Sequence, residues 1–108
     1  MVSMNVFLEM MRQFPDIEEK PHFEKISFRV KNKIFVTFSP EDGAFVCIKL
    51  TPLSQSVYCA FDKDVMYPVN NLWGKKGWTY INLSKIGEEM LKDALHESYE
   101  TVSGRKKH

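Results

Sequence analysis

Apolar residues recur first at helical spacing and then in alternation. Val6, Phe7, Met10, Met11 and Phe14 share one face of a helix that Ser3 caps and Pro15 ends. Asp16 to Glu24, polar and interrupted by Pro21, reads as a connection. Ile26–Val30 and Ile34–Phe38, separated by Lys31-Asn32-Lys33, have the alternation and the β-branched and aromatic content of a hairpin. A turn over Ser39–Gly43 leads to a third antiparallel strand, Phe45–Leu50. Thr51-Pro52 is a helix start, with the cap residue followed by proline, and that helix reaches about Ala60. Asp62 to Leu72 is irregular, save that Val65-Met66-Tyr67 suits a brief strand pairing. Trp78–Leu83 alternates again as a strand. Ser84 then caps a last helix to about Val102, with Met90, Leu91, Ala94, Leu95, Ser98 and Val102 inward and Gly104 as its stop. The pattern predicts an α+β domain, a mainly antiparallel sheet with N-terminal and C-terminal helices packed on it.

Length and composition narrow this picture. The 108 residues make a single domain, 1–108, with 103–108 expected as a flexible tail bearing Arg105, Lys106 and Lys107. A content of 44% hydrophobic and 13% aromatic residues supports a core that needs neither disulfide nor metal. No run approaches the ~20 apolar residues of a membrane span, and no basic leader precedes an apolar stretch. The expectation is a cytoplasmic protein with Cys47 and Cys59 as reduced thiols.

Charge changes the picture more than its sum suggests. The net charge is +1, but Lys25 to Pro40 carries Lys25, Arg29, Lys31 and Lys33 with no acid, and Val65 to Gly87 carries Lys75, Lys76 and Lys85 with none. Within the second stretch, both tryptophans of the chain bracket Trp73-Gly74-Lys75-Lys76-Gly77-Trp78. The glycines permit a tight reversal with the lysines at its tip and the rings anchoring its base. The acids gather elsewhere, and Glu89, Asp93 and Glu97 recur as a solvated helix face.

Catalytic chemistry finds little support. Glu18, Glu19 and His22 offer a Glu-x-x-His spacing, which Pro21 keeps off a helix. The glycine–lysine block lacks P-loop spacing, and there is no Gly-x-Ser-x-Gly elbow. The expectation is a non-enzymatic chain with no cofactor and no metal. Binding is better supported. Arg29, Lys31 and Lys33, beside Ser27 and Thr37, have the chemistry of phosphate contacts, as do Lys75 and Lys76. The tryptophans can hold that loop or stack on a base. Lysines at a turn are also ordinary solubilising residues, and paired tryptophans ordinary core anchors. The alternative is a protein-interaction or small-ligand domain with an aromatic groove lined by Tyr67, Trp73 and Trp78.

Taken in order, these segments resemble the MmcQ/YjbR family of small bacterial proteins, over about Phe14 to Lys107. Phe14-Pro15-Asp16-Ile17-Glu18-Glu19 is similar to the family's Leu-Pro-Gly-Val-Glu-Glu opening, with Asp16 where glycine is usual and Lys20 where many members have glycine. Pro21-His22-Phe23, then Ser27-Phe28-Arg29-Val30 and Lys33-Ile34-Phe35-Val36, resembles its first hairpin. Tyr67-Pro68, Trp73-Gly74 and Gly77-Trp78 resemble its aromatic, glycine-rich block, and Ser98-Tyr99 with Val102 its helical ending. The resemblance implies a double-wing DNA-binding fold, with Arg29, Lys31 and Lys33 on one wing and Lys75 and Lys76 on the other. DNA is then the expected partner, through weak and largely sequence-independent phosphate contact.

Overall fold

The computed structural model describes residues 1–104. Among them the order is α1 (Met4–Met11), β1 (Ile17–His22), β2 (Lys25–Val30), β3 (Lys33–Phe38), β4 (Phe45–Lys49), α2 (Pro52–Phe61), β5 (Met66–Pro68), α3 (Leu72–Lys75), β6 (Trp78–Asn82) and α4 (Glu88–Ser103). The strands form one six-stranded sheet in the order β1-β2-β3-β4-β6-β5, antiparallel at every step. This is the expected α+β architecture.

Side chains that face each other across the register share a side of the sheet. Phe28, Val36, Phe38, Val46, Ile48 and Ile81 are thereby aligned on one side, and all are buried. Helices α1 and α4 close this side with Phe7 and Met11, and with Leu91, Leu95 and Tyr99. The Phe7 ring meets Phe28 at 6.3 Å and Phe38 at 5.6 Å, edge to face in both cases. A register shift between Phe28 and Arg29 gives β3 one extra residue, Phe35, so Phe35 and Val36 are both fully buried. Burying each such side chain contributes about 1.5–3 kcal/mol.

Several local expectations need correction. The stretch Asp16–Glu24 is largely strand: β1 pairs with β2 from Ile17↔Val30 to His22↔Lys25. As an edge strand β1 tolerates Pro21 and three consecutive charged residues, which a central strand would not. Successive strand residues alternate in direction, so Glu19 and His22 point to opposite sides of the sheet. Helix α1 stops at Met11, short of Phe14, with Arg12 at its C-cap. Helix α4 begins at Glu88 after Gly87, because Asn82 Oδ1 accepts from both the N–H and the hydroxyl of Ser84 and holds that residue in a turn. Its inward face includes Tyr99 and Ser103, whereas Met90 and Val102 are only partly buried. Gly104 ends it at φ 75°. Ser103 therefore belongs to the helix, and the basic residues Arg105, Lys106 and Lys107 expected as a tail lie, with His108, outside the described residues. Among the described residues no helix is long and apolar enough to cross a membrane.

The hairpin turns carry positive φ angles. Lys31 and Asn32 sit at 52° and 65°, the paired left-handed values of the tightest hairpin loop. Asp16, where the resemblance places glycine, is at 59°. Phe23 opens the two-residue β1–β2 loop at 59° with its side chain 93% exposed, so little packing beyond the His22 ring at 4.8 Å offsets the strain. Phe23→Gly is expected to stabilise the domain by about 0.5–1 kcal/mol, the left-handed penalty less the added freedom of the unfolded chain. Thermal melting tests this, and an unchanged or lowered midpoint would refute it.

Candidate nucleic-acid interface

Both basic loops leave the sheet at the same end. The β2–β3 turn closes at Val30↔Lys33, and the antiparallel register sets this level with the end of β4, where Lys49 faces Trp78 at the start of β6. Lys75 and Lys76 immediately precede β6. Two strand spacings separate β3 from β6, roughly 10 Å. The β3–β4 turn with Glu41 and Asp42 lies at the opposite end.

The Trp73–Trp78 block makes a compact reversal, held differently from the expectation. Its first half is α3, started by Asn71, whose Oδ1 accepts from Trp73 N at 2.8 Å. Gly74 packs so closely that a Cβ would lie 1.8 Å from the Val69 carbonyl oxygen. Gly77, at φ 109°, places a hypothetical Cβ 1.7 Å from the Leu50 oxygen, and its own carbonyl accepts from Leu50 N at 3.0 Å. The buried Gln55 of α2 shares its amide donors among Gly74 O at 2.9 Å, Trp78 O at 3.1 Å and Thr79 Oγ1 at 3.1 Å. Backbone contact and Gln55 thus fix the loop. Trp73 anchors nothing: it is 58% exposed, with the Lys76 ammonium 5.1 Å from its ring centre. Lys75 and Lys76 are exposed beside it.

The first hairpin divides its cations. Lys33 is exposed at the turn. Lys31 Nζ donates to the Ser103 carbonyl at 2.7 Å, and so caps the C-terminal end of α4 with a positive charge. Arg29 is half-buried, its Nε donating to Ser27 Oγ at 3.1 Å, while the Ser27 hydroxyl donates to Lys20 O at 2.9 Å. The arrangement adds Lys49, which the sequence reading missed. Lys49 Nζ donates to Lys76 O at 2.6 Å and lies 5.8 Å from the Trp78 ring centre, with partial burial and then the Lys76 charge lowering its pKa.

The side of the sheet away from the core continues from this edge. The register aligns Ser27, Thr37, Cys47, Tyr80 and Tyr67 in one row, flanked by Lys49 with Trp78 and by Phe45 with Asn82. The rings Tyr67 meets are Tyr80 at 5.5 Å and Phe45 at 6.4 Å, and the tryptophans stand apart from this cluster. Burial pushes the Cys47 thiol up to about 11 and raises Cys59 too. A raised pKa disfavours the nucleophilic thiolate in both. Of the acids expected as a solvated face, Glu89 and Asp93 are exposed and Glu97 is half-buried; two of them also bind α2, Asp93 accepting from the Tyr58 hydroxyl and Glu97 from Ser54 Oγ at 2.8 Å. Burial and the Asp93 hydrogen bond raise the Tyr58 pKa and keep its phenol protonated. Among the described residues no three His, Cys, Asp or Glu side chains form a group able to hold a metal ion.

Comparison with known proteins agrees with the geometry. No curated protein is detectably similar in sequence. Among solved structures, the Deinococcus radiodurans protein DR2400, which carries a DUF419 domain, is similar at a TM-score of 0.82 and 20% identity, over 99% of this chain and 84% of that one. The likeness establishes the shared fold. The YjbR family model matches residues 12–101, from the end of α1 to the last turns of α4. With the sheet order, the glycine-locked loop and this match all on the same residues, the chain belongs to the YjbR family.

Proposed function

We propose that this chain is a nucleic-acid-binding domain that grips phosphates with Lys33, Lys75 and Lys76, assisted by Lys49 and Arg29. The observation that carries the reading is the emergence of both acid-poor loops from one end of one sheet, two strand spacings apart. Exposed lysines on two loops so close suit several phosphates along one backbone, and such contact is sequence-independent. The reading makes the chain a binding domain and not a catalyst, and burial disfavours the thiolate at Cys47 and Cys59. It assigns Lys31 to stability, through the α4 carbonyl, and removes it from the phosphate-contacting set.

The test is the salt dependence of binding to a labelled duplex, followed by fluorescence anisotropy. Lys75→Ala with Lys76→Ala is expected to flatten the slope of log K against log salt by about 1.8, while Lys31→Ala leaves the slope unchanged. Absence of binding at low salt to duplex and single strand alike, or a slope indifferent to the double substitution, would overturn the proposal.

A further inference from the structure

Helices α1, α2 and α4 crowd one side of the sheet and, among the described residues, leave most of the other without a covering helix. Helix α4 packs on β2, β3 and β4, α2 on β5, and the buried Phe7 ring of α1 meets Phe28 and Phe38 on that same side. The opposite side is where Phe45, Tyr67, Tyr80 and Trp78 stand, and none of these four is fully buried. An uncovered sheet side is ordinarily polar. Here it holds three contiguous rings at 5.5 and 6.4 Å, with Trp78 beside Lys49. Cations surround them: Lys49 and Arg29 toward the basic edge, and Lys25 close enough for its charge to act on Cys47 in the central row.

This deepens the reading above and rests on it: we infer that the nucleic acid this domain takes is single-stranded, its bases stacking on Tyr80, Tyr67 and Phe45 while its phosphates run to Lys49, Lys75 and Lys76. Aromatic platforms beside a cationic track are what unpaired bases bind, since every base has a π-face and a paired base inside a duplex does not present it. Size points the same way. Six strands span about 24 Å, twice the width of a major groove that admits one helix or a two-stranded ribbon. A duplex would reach the lysine edge and leave the rings unused. The charge of the rim excludes an apolar occupant as the best fit, because Lys49, Arg29 and Lys25 would then be desolvated without a counter-charge.

The experiment titrates the full chain into a fluorescein-labelled oligothymidine 12-mer and into a labelled 12-base-pair duplex, by anisotropy at two or more salt concentrations. The oligothymidine is expected to bind more tightly. Tyr80→Ala and Tyr67→Ala should each weaken it roughly 5- to 150-fold with the salt slope unchanged, and Tyr80→Phe should retain binding. If an alanine variant fails to fold, Tyr80→Leu and Tyr67→Leu keep the sheet packed and remove the stacking ring. Duplex bound as tightly as oligothymidine, or indifference to the tyrosine substitutions, overturns this inference and leaves the nucleic-acid reading standing. No binding to either probe at low salt overturns both.

Discussion

Replacing Gly77 with alanine is expected to destabilise the domain by about 3–5 kcal/mol, a large share of the 5–15 kcal/mol that holds such domains folded. Two costs add. At φ 109° an L-residue is strained by roughly 1–3 kcal/mol. The new methyl would also lie 1.7 Å from the Leu50 oxygen, and because that atom is backbone, no rotamer change relieves the clash. Overpacking of this kind costs about 1–3 kcal/mol more. The Leu50 N to Gly77 O hydrogen bond at 3.0 Å would lengthen as the segments part. Gly43→Ala is the matched control, since nothing lies within 4 Å of its Cβ position and its φ is ordinary. Urea denaturation of the two variants decides the matter. A Gly77→Ala loss below about 1 kcal/mol, or one no larger than that of Gly43→Ala, would refute this account of the loop.

Phe7→Ala is expected to cost about 3–5 kcal/mol and to release α1 from the sheet. Phe7 is fully buried and sets its ring edge to face against Phe28 and Phe38, contacts worth about 0.5–1.5 kcal/mol each beyond their area. Helix α1 has 8 residues, below the ~12–15 at which an isolated helix is even marginal in water. Without its anchor it has little reason to stay helical. Hydrogen exchange by mass spectrometry should show loss of protection confined to the N-terminal segment, together with a lower global midpoint. Retained protection over Met4–Met11 would show that Met11 and the Val2 N to Leu83 O bond suffice to hold the helix.

Where the sequence was legible, one periodicity dominated. Strands β2, β3, β4 and β6 each bury one side, and their apolar residues show it. Strand β1 was invisible for the converse reason. It lies at the edge, has no fully buried residue, and becomes a strand because β2 offers it a ladder. The start of α4 was misplaced because Ser84, a good cap by type, is claimed by Asn82 two residues earlier. Of the candidate cations, Lys33, Lys75 and Lys76 are exposed at the shared edge, whereas Lys31 is committed to the end of α4 72 residues away, which no local pattern encodes. Phe45, Tyr80 and Lys49 were missed although a signal existed. They are the alternate residues of strands whose apolar set had already been assigned to the core, and an aromatic or a lysine there marks an uncovered side.

Helix α2 reverses the usual order of helix docking. Its one buried residue is Gln55, while Leu53, Val57 and Phe61, spaced four apart, stand 76%, 53% and 71% exposed. Gln55, Ser54 and Tyr58 dock it through hydrogen bonds to the loop carbonyls and to Glu97 and Asp93. Water can replace such bonds one for one, and the apolar share of the seam is carried by Tyr58 and Cys59, partly buried against the core. Undocking of α2 is therefore expected to cost less than global unfolding and to show a smaller heat-capacity change and a weaker urea dependence. Because Gln55 holds Gly74 and Trp78, each excursion also unlatches the lysine loop, and the helix sets how long the loop keeps its shape.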